Sequence, residues 1–275
     1  MKKRLTFVLC ALILGGLTFI ACNEVKKEAP QNEKVELSPE LREELKNLII
    51  HENRRSPFDL GTFGEVKHMA LKGQHMRMFV EINPYFYRID KIRTQPEIIK
   101  RSLMDNLSTM TDELNPLLAK LGENQVGLRV ELGSENTDGI MEIYFSPKEL
   151  IQMSQTQEKD LDPRQMLVNH AAAYQVSLPS EMERFHAKLT AVDVTSEYMQ
   201  YTFHLAEPEG NEMHRLRSGK MVWGKKILDS LHHPEYSSIG KVVWLCRKAH
   251  LGVSYRFIGE DSGLQVTIFF DLAKA

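Results

Sequence analysis

The sequence predicts an α+β protein made of two tandem repeats, each a small antiparallel sheet of two hairpins with helices on one face. Three observations predict it. The last hairpin, Gly252 to Phe270, repeats Gly127 to Phe145 at a constant shift, 252 − 127 = 125, without a gap. Leu128, Val130, Leu132, Met141, Ile143 and Phe145 fall on Val253, Tyr255, Phe257, Val266, Ile268 and Phe270, and each set alternates with mostly polar neighbours at the period of a half-buried strand. An upstream strand pair repeats at 194 − 71 = 123: Leu71, Met76, Met78, Val80 and Ile82 fall on Val194, Met199, Tyr201, Phe203 and Leu205. The shift changes by only two between these blocks, so insertions sit in loops, as repeat units vary.

The chain opens with Lys2, Lys3 and Arg4, then an apolar run from Leu5 to Ala21. A basic start, a short apolar stretch and small residues before Cys22 are the pattern of a secretory signal, and the run is too short and too badly flanked for a membrane span. Phe19-Ile20-Ala21-Cys22 looks like a bacterial lipobox, with Phe19 where leucine is usual. That resemblance implies cleavage before Cys22, lipidation of Cys22 and a membrane partner reached through that lipid. It places the protein in the cell envelope, facing the periplasm. Removing residues 1–21 takes three positive charges and moves the formal net charge from −2 to −5. A mildly acidic, well-mixed chain has no clustered basic face for nucleic acid. Cys10 lies in the signal, so Cys246 remains the one free thiol and no internal disulfide can form.

Residues 22–37 are rich in Lys, Glu, Gln and Asn and bury too little apolar surface to fold; they read as a flexible tether. Repeat unit 1 then spans 38–152. Ser38-Pro39 starts a helix whose apolar face is Leu41, Leu45, Leu48 and Ile49. Arg54 to Gly64 reads as irregular; strands follow at Val66–Leu71 and Met76–Ile82. Thr94-Gln95-Pro96-Glu97 predicts a capping box for a helix carrying Ile99, Leu103 and Leu107. Asn115-Pro116 predicts a restarted helix ending at Gly122, the first hairpin follows, and Ser146-Pro147-Lys148-Glu149 begins a terminal helical turn. Gln155 to Pro163 reads as a polar linker.

Repeat unit 2, residues 160–275, retraces this order. Met166–Tyr174 predicts a helix, Leu178-Pro179 an extended entry, and Leu189–Val194 and Tyr198–Leu205 two strands. Trp223, Ile227 and Leu231 form the stripe of a further helix, and Gly240–His250 matches Asn115–Gln125. Ser56-Pro57-Phe58-Asp59-Leu60-Gly61, Phe145-Ser146-Pro147-Lys148-Glu149-Leu150, Leu178-Pro179 and Leu251-Gly252-Val253-Ser254-Tyr255 resemble tandem-repeat lipoproteins of Bacteroides-type bacteria. Those motifs are apolar and turn positions, so the resemblance implies a fold and no chemistry.

Candidate sites are few. Cys246 and His250, four apart on the predicted helix, could pair as nucleophile and base or as half a metal site; against this, the counterpart of Cys246 in the first unit is Leu121, a core residue. Tyr85, Phe86 and Tyr87 are three consecutive aromatics after a strand and cannot all enter one core, so they are a candidate binding patch for a protein or small-molecule ligand. The tip Ser134–Gly139 lacks the first aspartate and final glutamate of a calcium loop and reads as an acidic turn. Trp223 and Trp244 sit at core spacing, and His232-His233 at a helix end. No His-Glu-x-x-His, Gly-x-Ser-x-Gly, glycine-rich phosphate loop or Cys-x-x-Cys occurs. The expectation is a binding module without cofactor or metal, rather than an enzyme; the alternatives are chemistry at Cys246 and His250, or a spacer without ligand.

Overall fold

In the computed structural model, alternation of apolar and polar residues builds two five-stranded sheets of the same strand order. The structure describes residues 37–84, 86–134, 139–182, 186–222, 224–225 and 237–272. Cys22, Tyr85, Trp223, His232 and His233 lie outside them, as do residues 135–138 of the acidic turn.

Helix α1 is Pro39–Arg55, with the Ser38 hydroxyl accepting from the Leu41 amide at 3.2 Å. Strand β1 is only Phe58–Asp59 and is followed by a 3₁₀ turn, Gly61–Phe63; β2 is Gly64–Lys72 and β3 is His75–Ile82. Helices α2 (Ile89–Ile92), α3 (Pro96–Ser108) and α4 (Thr111–Glu123) lead to β4 (Gly127–Gly133), β5 (Met141–Phe145) and α5 (Pro147–Gln155). Ser146 and Glu149 form the capping box of α5. The second half holds α6 (Pro163–Ser177), β6 (Ser180–Met182), β7 (Ala187–Val194), β8 (Tyr198–Leu205), α7 (Glu212–Ser218), α8 (Ser237–Lys248), β9 (Gly252–Gly259) and β10 (Gln265–Phe270).

The hairpins pair in the register their apolar positions require: Leu128, Val130 and Leu132 oppose Phe145, Ile143 and Met141, and Val253, Tyr255 and Phe257 oppose Phe270, Ile268 and Val266. The expectation of antiparallel sheets is corrected. In each sheet the two hairpins join through a central parallel pair, β3 with β4 and β8 with β9, starting at His75–Gly127 and Tyr198–Gly252. A parallel pair needs a long crossover, which α2–α4 supply in the first half. Each sheet also gains a short fifth strand, β1 or β6, from stretches read as irregular or merely extended.

Finer features recur at matching places. A bulge interrupts β2 between Val66 and His68 and β7 between Leu189 and Ala191. The Asn53 amide bonds the backbone of Met69 just past the first bulge, and the Gln175 amide bonds Val192 past the second. The helix before each second hairpin ends on a left-handed residue, Gln125 or His250, after which Val126 and Leu251 donate back to Leu121 and Cys246.

Two helix starts differ from the sequence reading. Thr94 does not cap α3; its hydroxyl donates to the Lys91 carbonyl and closes the preceding turn, leaving Gln95 at the cap position. Helix α4 begins at Thr111 and runs through Pro116 instead of restarting there.

One continuous core runs between the inner faces and the helices. At the centre of the first sheet it is aliphatic: Met78, Val80, Val130 and Leu132 are fully buried. Their counterparts in the second are rings. Tyr201 stacks on Tyr255 at 5.5 Å and Phe203 on Phe257 at 5.4 Å. Tyr174 of α6 touches Tyr201 at 6.3 Å and stacks on Tyr87 at 5.4 Å, and Tyr87 lies 4.7 Å from Phe63. All described residues belong to one compact unit, Glu36–Ala275.

Candidate functional site

The residues singled out in the sequence do not converge. Cys246 is fully buried on α8, and burial pushes its thiol up to about 12. A thiol held protonated in an apolar setting is a poor nucleophile. Helix α8 stops at Lys248, and His250 is exposed with φ 55°, so it no longer shares a helical face with Cys246. The catalytic pairing is corrected: Cys246 is core, like Leu121. Tyr87 is 1% exposed within the ring stack, so it is not a surface binding residue, and burial raises its hydroxyl pKa. Phe86 is half-buried with its edge on Tyr174 at 5.1 Å. Trp244 is half-buried, with the Lys248 ammonium 5.6 Å above its ring.

Sequence reasoning missed a polar niche where the two halves meet. The 3₁₀ turn contributes Thr62, α3 contributes Ser102, Asp105 and Asn106, α6 contributes Asn169 and His170, and α8 contributes Lys241. Each is an unremarkable polar residue in its own element, and only the fold brings them together. Asn169 donates to Asp105 at 2.8 Å, Lys241 donates to the Asn106 carbonyl at 3.1 Å, and Thr62 Oγ1 lies 3.0 Å from His170 Nε2. All but Asn169 line a cavity of about 10 Å³, together with Met166, Val242 and Leu245, with room for one water molecule.

Charge is costly in this niche. Burial lowers the His170 imidazole to about 3, helped by the positive field of Lys241, so it is neutral at ordinary pH. Burial also lowers the Lys241 ammonium to about 8, against the opposing fields of Asp105 and Asp59. Burial raises the Asp105 carboxyl, partly offset by the Asn169 hydrogen bond and by Lys241. A space of that size admits no organic substrate.

The open faces of the sheets differ more usefully. On the first sheet, Lys67 bridges Glu65 and Glu81 at 2.8 and 2.7 Å, Arg77 pairs with Glu131 at 2.6 Å, and Arg129 with Glu142 at 3.4 Å. That face is laced with charges that pair with one another. The matching centre of the second sheet carries Gln200, Thr202, Ser254, Arg256 and Thr267 beside the Tyr198–Phe269 ring pair, whose centroids are 5.1 Å apart; Thr202 and Ser254 are buried, and Arg256 donates to the Gln265 side chain at 2.8 Å. Phe269 is 55% exposed. The ion pairs described on this sheet sit at its margin, where Lys188 lies 3.6 Å from Glu181 and 3.8 Å from Glu260. A shallow depression beside Asn211, His214, Arg215, Arg217 and Ser218 is lined by α7 and its cap alone, with nothing converging on it.

Among the described residues no cluster of three or more His, Cys, Asp or Glu could hold a metal ion, and no helix is long and apolar enough to cross a membrane. No protein-family model and no curated protein matches this chain. Among solved structures, a "putative secreted protein" of Pseudomonas aeruginosa matches at 16% identity and a TM-score of 0.31, over 42% of this chain and 95% of that one, too slight a likeness to transfer a fold or a function.

Proposed function

We propose that this chain is a lipid-anchored binding module of the cell envelope, assembled from a duplicated unit, that recognises its ligand on the open face of the second sheet. The lipobox-like Cys22 and the polar tether after it support the anchor and a periplasm-facing position. The shared strand order, the paired bulges and the left-handed residues Gln125 and His250 support the duplication. The observation that carries the binding reading is the contrast between the two open faces. At equivalent positions the first pairs Arg77 with Glu131 and Arg129 with Glu142, whereas the second sets Arg256, which donates to the Gln265 side chain, among Gln200 and Thr267 beside an exposed aromatic ring. A ring that offers a flat apolar surface next to an amide, a hydroxyl and a guanidinium suits a ligand with both an apolar face and hydrogen-bonding edges.

The test is photo-crosslinking in intact cells, with a photoreactive residue at Phe269 and, in a second strain, at Tyr144, its counterpart on the first sheet. The expected result is an adduct of a mass other than twice the chain from position 269 only. Equal adducts at both positions, or none at 269, would sink the reading.

A further inference from the structure

We infer that the niche between the two halves is a binding site for one internal water molecule, held between Ser102 of α3 and Lys241 of α8. The inference owes nothing to the recognition reading, because the niche and the open face of the second sheet share no residue.

The space has the size and the walls that a water needs. A cavity holds a water when it offers room for about one probe sphere, ~10–15 Å³, and two to four polar partners; an apolar cavity stays dry. This one measures about 10 Å³, and its polar walls outnumber the apolar side chains of Met166, Val242 and Leu245.

Two groups on those walls call for a further partner. Ser102 is 1% exposed, and its hydroxyl makes no hydrogen bond to the protein. It does not turn back onto its own helix, as a buried helical serine commonly does. Its carbonyl, by contrast, accepts from the Asn106 side chain at 2.8 Å. Lys241 carries three N–H groups, and the bond described for it is a single one, to the Asn106 carbonyl at 3.1 Å. A water between the two accepts from the ammonium and donates to the Ser102 hydroxyl. Asp105 lines the same space and takes the second O–H; its Oδ2 already accepts from Asn169 at 2.8 Å. Other small occupants fit worse, since an anion would face the Asp105 carboxylate and a metal cation the Lys241 ammonium. Ser102 and Asp105 belong to the first half and Lys241 to the second, so the water is part of what joins them.

The experiment is water-oxygen magnetic relaxation dispersion of the full chain in detergent, which counts waters that stay inside for longer than nanoseconds. Wild type is compared with Ser102→Val and Lys241→Met, with circular dichroism and Tm recorded for each, and a high-resolution crystal structure of wild type accompanies them. Each folded variant is expected to hold one long-lived water fewer: valine fills the space and removes the hydroxyl, and methionine removes the ammonium donor. The crystal should show a water peak about 2.7–3.2 Å from both Ser102 Oγ and Lys241 Nζ. If Ser102→Val fails to fold, Lys241→Met and the crystal decide. A count unchanged in the folded variants, an ordered niche with no peak, or a peak whose anomalous scattering marks a heavier ion overturns the inference.

Discussion

Tyr198 lies across the backbone of Gly252, so that a Cβ on that glycine would come within 2.8 Å of the ring and 2.5 Å of the Phe270 carbonyl oxygen. At the equivalent corner of the first sheet a Cβ on Gly127 would first meet the Tyr144 hydroxyl and ring, with the nearest ring carbon at 2.5 Å. The two sites share their glycine and differ in what crowds it. A ring on a rotatable side chain can swing away; a carbonyl in the β9–β10 ladder cannot without breaking pairing. Gly127→Ala should therefore cost about 1 kcal/mol and Gly252→Ala about 2–3 kcal/mol in urea unfolding, and equal costs would refute the distinction.

His170 makes the fold acid-sensitive. Its imidazole is near 3 in the native state and near its ordinary value of 6.5 when unfolded, so between those limits the unfolded chain binds the extra proton. Stability is lost as pH falls from about 6.5 towards 3, by up to about 1.4 kcal/mol per pH unit for this one group. Unfolding free energies at pH 7 and pH 5 should differ less in His170→Gln than in wild type. The same slope in both would remove His170 from the account.

Lys241 acts in the same direction at the alkaline end. Its native value is about 8 against an ordinary 10.5, so the folded state releases its proton first. Stability then rises with pH between about 8 and 10.5, by at most about 1.4 kcal/mol per unit. Lys241→Met should lose this rise, so the gap between wild type and variant should shift in favour of wild type from pH 8 to pH 10. A constant gap would show that the ammonium is not held in a costly place.

Cys246 should be silent in the native protein. Thiol reagents should modify it only as fast as the chain unfolds, since it is fully buried with its thiol near 12. Cys246→Ser places a hydroxyl among apolar neighbours and should cost about 1–3 kcal/mol. Labelling within seconds under native conditions would restore the enzyme reading.

The hairpin positions were legible because period-2 alternation names the buried face residue by residue. Leu128 against Phe145 and Val253 against Phe270 follow from that pattern and a turn. The parallel joins were not legible, since the alternation in Met76–Ile82 is the same whichever way its neighbour runs. β1 and β6 are too short to show a period. Cys246 and His250 misled because spacing of four means proximity only while the helix lasts, and α8 ends at Lys248. Thr94 misled because its hydroxyl had a second acceptor, the Lys91 carbonyl, within reach. The niche is assembled from four separate elements, and no local pattern marks Asp105, His170 or Lys241 as neighbours. No sequence pattern marks Phe269; what sets it apart is the exposure of its ring and the pairing of charges around its counterpart, Tyr144.

The parallel joins at His75–Gly127 and Tyr198–Gly252 also dictate an order of events as the chain is made. Partners on the order of fifty residues apart must find each other across a wide loop, which places this molecule among slower-folding topologies. A chain delivered N-terminus first can close its first hairpin early, yet that hairpin keeps a bare edge until the second has emerged. Each half is thus vulnerable during delivery for as long as its crossover is still arriving, and holding factors that shield naked strands would act most strongly in that interval.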